Sequence, residues 1–187
     1  TVKEFSLKIG TALKRMEQLI QSMLKITRID AGSISFEKSN YSIPNIINHA
    51  ISELTTRADN EKKEIVIDGD LEQMLYCDIE WTGEAIGNII KNALDHTDTG
   101  GKISISWEQT PAMIRIFITD NGHGISQEDI HHIFKRFYRS KNTSESQGIG
   151  LGLPLAKAIV EGQGGILSVQ SERLQGTTFT LSFLTES

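Results

Sequence analysis

A chain of 187 residues with 38% hydrophobic and 23% charged residues has enough apolar material for one or two ordinary globular units, which excludes a disordered or fibrous protein. Its net charge of −5, with 19 Lys and Arg against 24 Asp and Glu and basic residues scattered except around 135–141, speaks against a nucleic-acid surface. The one cysteine, Cys77, lies in the apolar run Met74-Leu75-Tyr76-Cys77 and reads as a small buried hydrophobe in a reducing compartment. No run approaches the roughly eighteen apolar residues of a membrane span, and the first residues carry no signal-peptide pattern. The expectation is a soluble, cytoplasmic piece, whose parent need not be soluble.

Along the first segment, Phe5, Ile9, Ala12, Met16, Leu19, Met23 and Ile26 alternate steps of four and three, the seam of a coiled coil or helical bundle. Leu13, Ile20 and Leu24 widen the stripe, so a second helix or a dimer would bury it better. Gly32 is a plausible helix stop, residues 32–41 read as a linker or short hairpin, and the domain boundary falls there. The division expected is a bundle helix over 1–32, a linker over 33–42 and a globular domain over 43–187. Pro44 opens that domain's first helix, with Ile46, Ile47, Ala50, Ile51 and Leu54 at helical spacing up to about Asn60.

Residues 65–67 and 74–77 look like short strands separated by the turn Asp68-Gly69-Asp70, and a second helix follows over 81–96. Strands over 102–109 and 113–120 pair as a hairpin about Thr110-Pro111. An irregular stretch over 122–148, with a short amphipathic piece at 129–138, suggests a mobile lid over a site. A helix over 151–162 and strands over 165–171 and 177–184 close the chain. The predicted fold is an α/β (α+β) two-layer sandwich: a mixed, mostly antiparallel sheet covered by about three helices, plus the lid and the N-terminal bundle helix.

On the second helix, Glu84, Asn88, Asn92 and Asp95 fall on one polar stripe, opposite Trp81, Ala85, Ile86, Ile89, Ile90, Ala93 and Leu94. A solvated face would more often use Lys, Glu or Gln than two asparagines, so the stripe reads as functional. A carboxamide oxygen is a suitable hard ligand for Mg²⁺, which shares its shell with water and phosphate oxygens. Asp120-Asn121-Gly122-His123-Gly124 presents a carboxylate at a strand end, where it could accept a hydrogen bond from the adenine amine; an ordinary Asp-Asn-Gly turn has the same sequence. Gly148-Ile149-Gly150-Leu151-Gly152-Leu153 leads into a helix whose free N–H groups suit phosphate, although structural glycine turns are nearly as frequent. Gly176-Thr177-Thr178 would either close the pocket floor or form a hairpin turn.

In this order the four motifs resemble the nucleotide-binding domain shared by gyrase, heat-shock chaperone, histidine kinase and mismatch-repair ATPases. Within that group, Asn88-Ile-Ile-Lys-Asn92-Ala-Leu and Ile133-Phe134-Lys135-Arg136-Phe137-Tyr138-Arg139 resemble the asparagine and phenylalanine motifs of sensor histidine kinases. The likeness covers about 43–184, and the helix ending in Thr27-Arg28-Ile29-Asp30-Ala31-Gly32 resembles the second helix of their dimerisation domain.

The resemblance implies ATP and Mg²⁺ as cofactors. It gives Asn92 to the metal, Asn88 to the polyphosphate and Asp120 to adenine. Gly122, Gly124 and Ile125 would border the base, and Asp95, His96, Gly148, Ile149, Gly150, Leu151, Gly152, Leu153, Thr177 and Thr178 would complete the pocket. Arg139, with Arg136, Tyr138 or Lys141, would meet the γ-phosphate; a solvated basic lid explains these side chains equally well. Asn88 stands where the hydrolases of the group place a glutamate and cannot take a proton from water, which favours phosphoryl transfer to a histidine.

Asp95 and His96 stand where the kinases often have lysine and tyrosine, so one expected phosphate contact is missing. None of His49, His96, His123, His131 and His132 fits the acceptor pattern. An acceptor helix upstream of Thr1 is therefore expected, in a parent that is dimeric, sits in the bacterial membrane and serves a response regulator. The alternative is a nucleotide-binding regulatory module or pseudokinase without phosphotransfer.

Overall fold

The computed structural model of the chain describes residues 2–140 and 148–185, leaving aside the side chains of residues 2 and 3. In chain order the elements are α1 (Val2–Asp30), β1 (Ser39–Ser42), α2 (Ile43–Ile51), α3 (Leu54–Asn60), β2 (Glu64–Asp68), β3 (Met74–Cys77), α4 (Ile79–His96), β4 (Lys102–Gln109), β5 (Met113–Asp120), α5 (Gln127–Ile130), α6 (Gly152–Gly162), β6 (Ile166–Glu172) and β7 (Gly176–Leu184). Among the described residues, no helix is long and apolar enough to cross a membrane.

Five strands form one sheet in the order β2-β4-β5-β7-β6, parallel between β2 and β4 and antiparallel elsewhere. Alternation along the strands sends Ile103, Ile105 and Trp107, Ile114, Ile116 and Ile118, and Phe179, Leu181 and Phe183 to one buried face. The opposite face carries Ser104, Ser106, Thr119, Thr178, Thr180 and Ser182, as suits a sheet covered on one side. Helices α4 and α6 lie side by side on the apolar face, and α2 packs against α4. This is the two-layer sandwich that the sequence pattern predicts.

Helix α1 ends at Gly32, whose φ of +64° suits a residue without a Cβ. The Gly32 N–H reaches Ile29 O at 2.9 Å and the Ser33 N–H reaches Arg28 O at 3.0 Å, the paired bonds of a Schellman stop. The seam on α1 divides. Ile26 is buried, with Leu19, Met23 and Ile29 packed against the globular core, while Phe5, Ile9, Leu13, Met16, Ile20 and Leu24 are exposed. Lys25 anchors the helix further: its Nζ lies 2.6 Å from Glu84 Oε1 and above the Trp81 ring.

Two local expectations are revised. The stretch read as a linker is a strap fixed to the domain: β1 pairs antiparallel with β3, Ser39 opposite Cys77. The helix expected to run to Asn60 is two helices, interrupted at Ser52 and Glu53, where the Ser52 hydroxyl donates to His49 O at 3.1 Å; Ile51 and Leu54 are both buried. The strands on either side of Asp68-Gly69-Asp70 belong to different sheets. Trp107 fixes that turn, donating from Nε1 to Asp70 O at 2.9 Å and filling the space where a Cβ on Gly69 would fall.

Gln163, just past α6, is a buried hub that joins the strap to the helices. Its Oε1 accepts the Asp78 N–H at 2.8 Å, its Nε2 donates to Thr82 Oγ1 at 3.0 Å, and its carbonyl accepts from Lys38 Nζ at 2.5 Å. Asp78 in turn accepts from the Glu37 N–H and caps α4 at the Trp81 N–H. Gln163→Ala strands a buried N–H and a buried hydroxyl. Urea unfolding of that variant is expected to show a loss of about 2–3 kcal/mol with an unchanged slope.

Candidate functional site

Helix α4 supplies both core and site. Ala85, Ile86, Ile89, Ile90, Ala93 and Leu94 are wholly buried, while the half-buried Asn88 and Asn92 lie on the other stripe. Beside that stripe opens a cleft of about 340 Å³. Asn92, Asp95 and His96 line it from α4, and Gly124 and Ile125 from the chain after β5. Tyr138, Arg139, Gly148, Gly150 and Leu153 line it from the segment leading into α6, and Thr177 from β7. Residues separated by up to 85 positions in sequence thus share one cavity.

Asp120 ends β5 on the buried face, paired with Thr177 across the ladder, and is 4% exposed. Its Oδ1 accepts the Gly122 N–H at 2.9 Å. Burial pushes this carboxyl up to about 6, more than the Gly122 and Thr177 backbone donors pull it down. Gly176 has φ +94°, and a Cβ there would fall 2.0 Å from Asp120 O, so the β6–β7 turn closes on the aspartate only with glycine. Gly122 packs in the same way on the carbonyl of His96.

At the other end, Gly152 opens α6 next to Asn88, whose Oδ1 lies 3.6 Å from where a Gly152 Cβ would be. First-turn N–H groups of α6 have no acceptor within the helix, and Pro154 contributes none, leaving those of Gly152 and Leu153. Leu151 and Ile149 turn toward the core, so they anchor the glycine turn and do not line the cleft. Phe137 and Leu174, both non-glycine, are held at φ 63° and 65°, local strain at two borders of the cavity.

Two of the expected contacts point elsewhere. Thr178 faces the polar side of the sheet, its hydroxyl 2.9 Å from that of Thr119, because only alternate residues of β7 reach the cleft. Arg136 is ion-paired with Asp30 of α1 and lies outside the cavity lining. Lys141 lies outside the described residues, as does most of the expected lid beyond Ser140. Asp95 lines the cleft yet is bonded to Arg57 Nη2 at 2.5 Å. Burial holds His96 below the usual imidazole range, so it is neutral at pH 7.

The sequence reading did not single out Ser126, Asp129 and Ser140, which also line the cavity. Asp129 accepts from the Ser140 hydroxyl at 2.6 Å and from the Tyr138 hydroxyl, and these donors keep its carboxyl below the usual range. It thereby ties down the residues on both sides of Arg139. The available signal was Ser126 three residues before Asp129, a helix-start spacing that the structure realises with Ser126 Oγ accepting the Asp129 N–H at 3.2 Å. His123 and Ile133, which lie inside the quoted motifs, are also on the wall, as are Arg173 and Leu174, which had no comparable signal.

Residues 77–187, more than half of the chain, match the family model described as histidine kinase-, DNA gyrase B-, and HSP90-like ATPase, and the chain belongs to that family. It is similar to the heme sensor protein HssS of Staphylococcus saprophyticus, 35% identical over 174 residues that cover 90% of this chain and 36% of HssS. The chain spans about a third of the length of the curated relatives it matches. Among solved structures, full-length ShkA in complex with AMPPNP superposes with a TM-score of 0.81 at 20% identity, over 92% of this chain and 36% of that one. The histidine kinase ThkA in complex with the response regulator protein TrrA gives 0.77 at 20% identity, over 100% of this chain and 52% of that one. At those identities the likeness shows the fold.

The raised pKa of Asp120 has a sign that can be measured. Below the ordinary aspartate range both the folded and unfolded states hold the proton; as pH rises through about 6 the folded state must ionise a buried group and stability is lost. Asp120→Asn escapes this. The variant is expected to be more stable than the parent by roughly 2–3 kcal/mol at pH 8, with no difference at pH 3.5, when melting is followed by circular dichroism.

Proposed function

We propose that the cleft binds ATP with Mg²⁺, and that the chain is the catalytic portion of a sensor histidine kinase that phosphorylates a histidine for relay to a response regulator. The observation that carries this is one cavity with the Asn92 carboxamide on one wall and Thr177 on another, the buried Asp120 carboxyl being paired with Thr177 across the ladder behind that wall. Membership of an ATPase family and the AMPPNP in the ShkA structure support the nucleotide. The sensor named HssS and the ThkA complex with its response regulator support the signalling role.

Each residue has a definite task in this reading. Asp120, as the carboxylate, accepts the hydrogen bond of the adenine amine, a group that guanine lacks at that position. Gly122 and Gly124 keep the wall beside the base flat, and Ile125 and Leu153 supply apolar contact. Asn92 gives its amide oxygen to Mg²⁺. Asn92 would hold the ion together with phosphate oxygens of the nucleotide and water, as suits Mg²⁺. Asn88 and the free N–H groups at the start of α6 meet the polyphosphate, and Arg139 meets its terminal group. The bound nucleotide supplies a transferable γ-phosphoryl group whose charge the metal offsets.

Asn88 lies close to Gly152 and cannot take a proton from water at neutral pH, so the site is built to hold ATP without rapid hydrolysis. The phosphoryl acceptor is a histidine outside these 187 residues: His49 is engaged with Glu80 of α4, and His96 and His123 belong to the cleft wall. A dimeric parent, in the membrane with this domain on the cytoplasmic side, completes the reading.

Calorimetric titration with AMPPNP, with and without Mg²⁺ and with GTP as control, tests it. Saturable binding that needs Mg²⁺ and prefers adenine is the expected result. Asn92→Ala should remove the Mg²⁺ dependence and weaken binding at least about tenfold with an unchanged melting profile. A chain that binds neither nucleotide, or binds both alike, refutes the assignment.

A further inference from the structure

A carboxylate on the wall of a cleft that receives a polyphosphate works against its ligand. Asp95 is such a group: it lines the cleft one turn beyond Asn92 on α4 and keeps 30% of its side chain exposed. The chain answers it from another helix. Arg57, on α3, donates from Nη2 to Asp95 Oδ1 at 2.5 Å and from Nε to Glu61 Oε1 at 2.6 Å. Glu61 is shared with Lys63 at 2.5 Å, and Lys63 in turn donates to the carbonyl of Leu94 at the end of α4 at 2.6 Å. The four side chains form a closed set of two cations and two carboxylates, so removing Arg57 leaves an excess negative charge at the cleft wall.

We propose that Arg57 belongs to the nucleotide site as the counter-ion of Asp95, neutralising the one acidic group that α4 turns toward the polyphosphate and so setting the preference for triphosphate over nucleoside. This rests on the reading of the cleft as a nucleotide site. Arg57 need not touch the ligand; it is a positioning residue that acts through Asp95. A guanidinium suits the task because it stays charged at any physiological pH and its fork engages two carboxylates from one side chain. Its two engaged nitrogens face Asp95 and Glu61, so the rim beside Asn92 is held in a single electrostatic state.

Calorimetry on the full 187-residue chain tests the proposal, with AMPPNP and adenosine as probes in Mg²⁺ at low salt. Arg57→Ala is expected to weaken AMPPNP about fivefold, while adenosine, which carries no phosphate, changes less than about twofold. Adding Asp95→Asn to that variant should restore AMPPNP affinity to within about twofold of the parent, and about 0.5 M NaCl should erase most of the difference. Arg57→Gln, which keeps most of the side-chain stem and a hydrogen-bonding end but lacks the charge, should behave as Arg57→Ala does and guards against a packing effect.

An equal loss for adenosine, a loss that survives Asp95→Asn, or no loss at all overturns the proposal while leaving the nucleotide site standing. A parent chain that binds no AMPPNP overturns both.

Discussion

Helix α4 must satisfy two demands at once, and the rest of the molecule is arranged around that constraint. One stripe has to be apolar enough to seat the helix against the sheet and α6, and Ile86, Ile89 and Ile90 are wholly buried there. The other has to keep Asn92 half-buried at a cavity wall and Asn88 half-buried beside Gly152, although asparagine is a poor helix former. The tertiary packing of the first stripe outweighs the propensity deficit of the second. Asp78 and Gln163 fix the helix start, Lys63 caps its last carbonyls, and the position of the asparagines follows from those two ends.

A second feature is the amount of unfavourable structure collected around one cavity. A carboxyl is buried at the end of β5 with its proton affinity raised, and two non-glycine residues are held in the left-handed region. Sites that must meet a ligand in a fixed geometry commonly carry such local costs, offset by a well-packed core elsewhere. Here the offset comes from the isoleucine-rich face of the sheet.

Much of this was legible in the sequence because it rests on periodicity. The alternation over β4 and β5 and the split stripe on α4 each report a buried face directly, and the seam of α1 does so only from Leu19 onward. The glycine motifs were legible for a different reason: at Gly122 and Gly176 the backbone of a neighbouring segment occupies the place of a Cβ. What escaped were relations between segments. Nothing local announces that residues 39–42 pair with 74–77, or that Arg136 turns to Asp30 and away from the cavity. Thr177 and Thr178 looked alike as neighbours, and only the β5–β7 register separates them onto opposite faces. At position 52 the apolar spacing ran through the interruption and suggested one helix.

The division of α1 has a mechanical consequence. The helix is 29 residues, about 43 Å long at 1.5 Å per residue, and it is held to the globular body only from Leu19 onward. The preceding arm of seventeen residues, 2–18, is roughly 25 Å of unsupported helix with a continuous apolar stripe. Such an arm is a lever whose fulcrum is Leu19, where the helix first packs against the core; from there the held part of α1 runs to the close contact of Ile29 and Phe36 with Gly162, at the opposite end of α6 from Asn88. A tilt of about 10° at that fulcrum carries the far end through about 4 Å, and by the same ratio a modest force on the stripe arrives at α6 amplified.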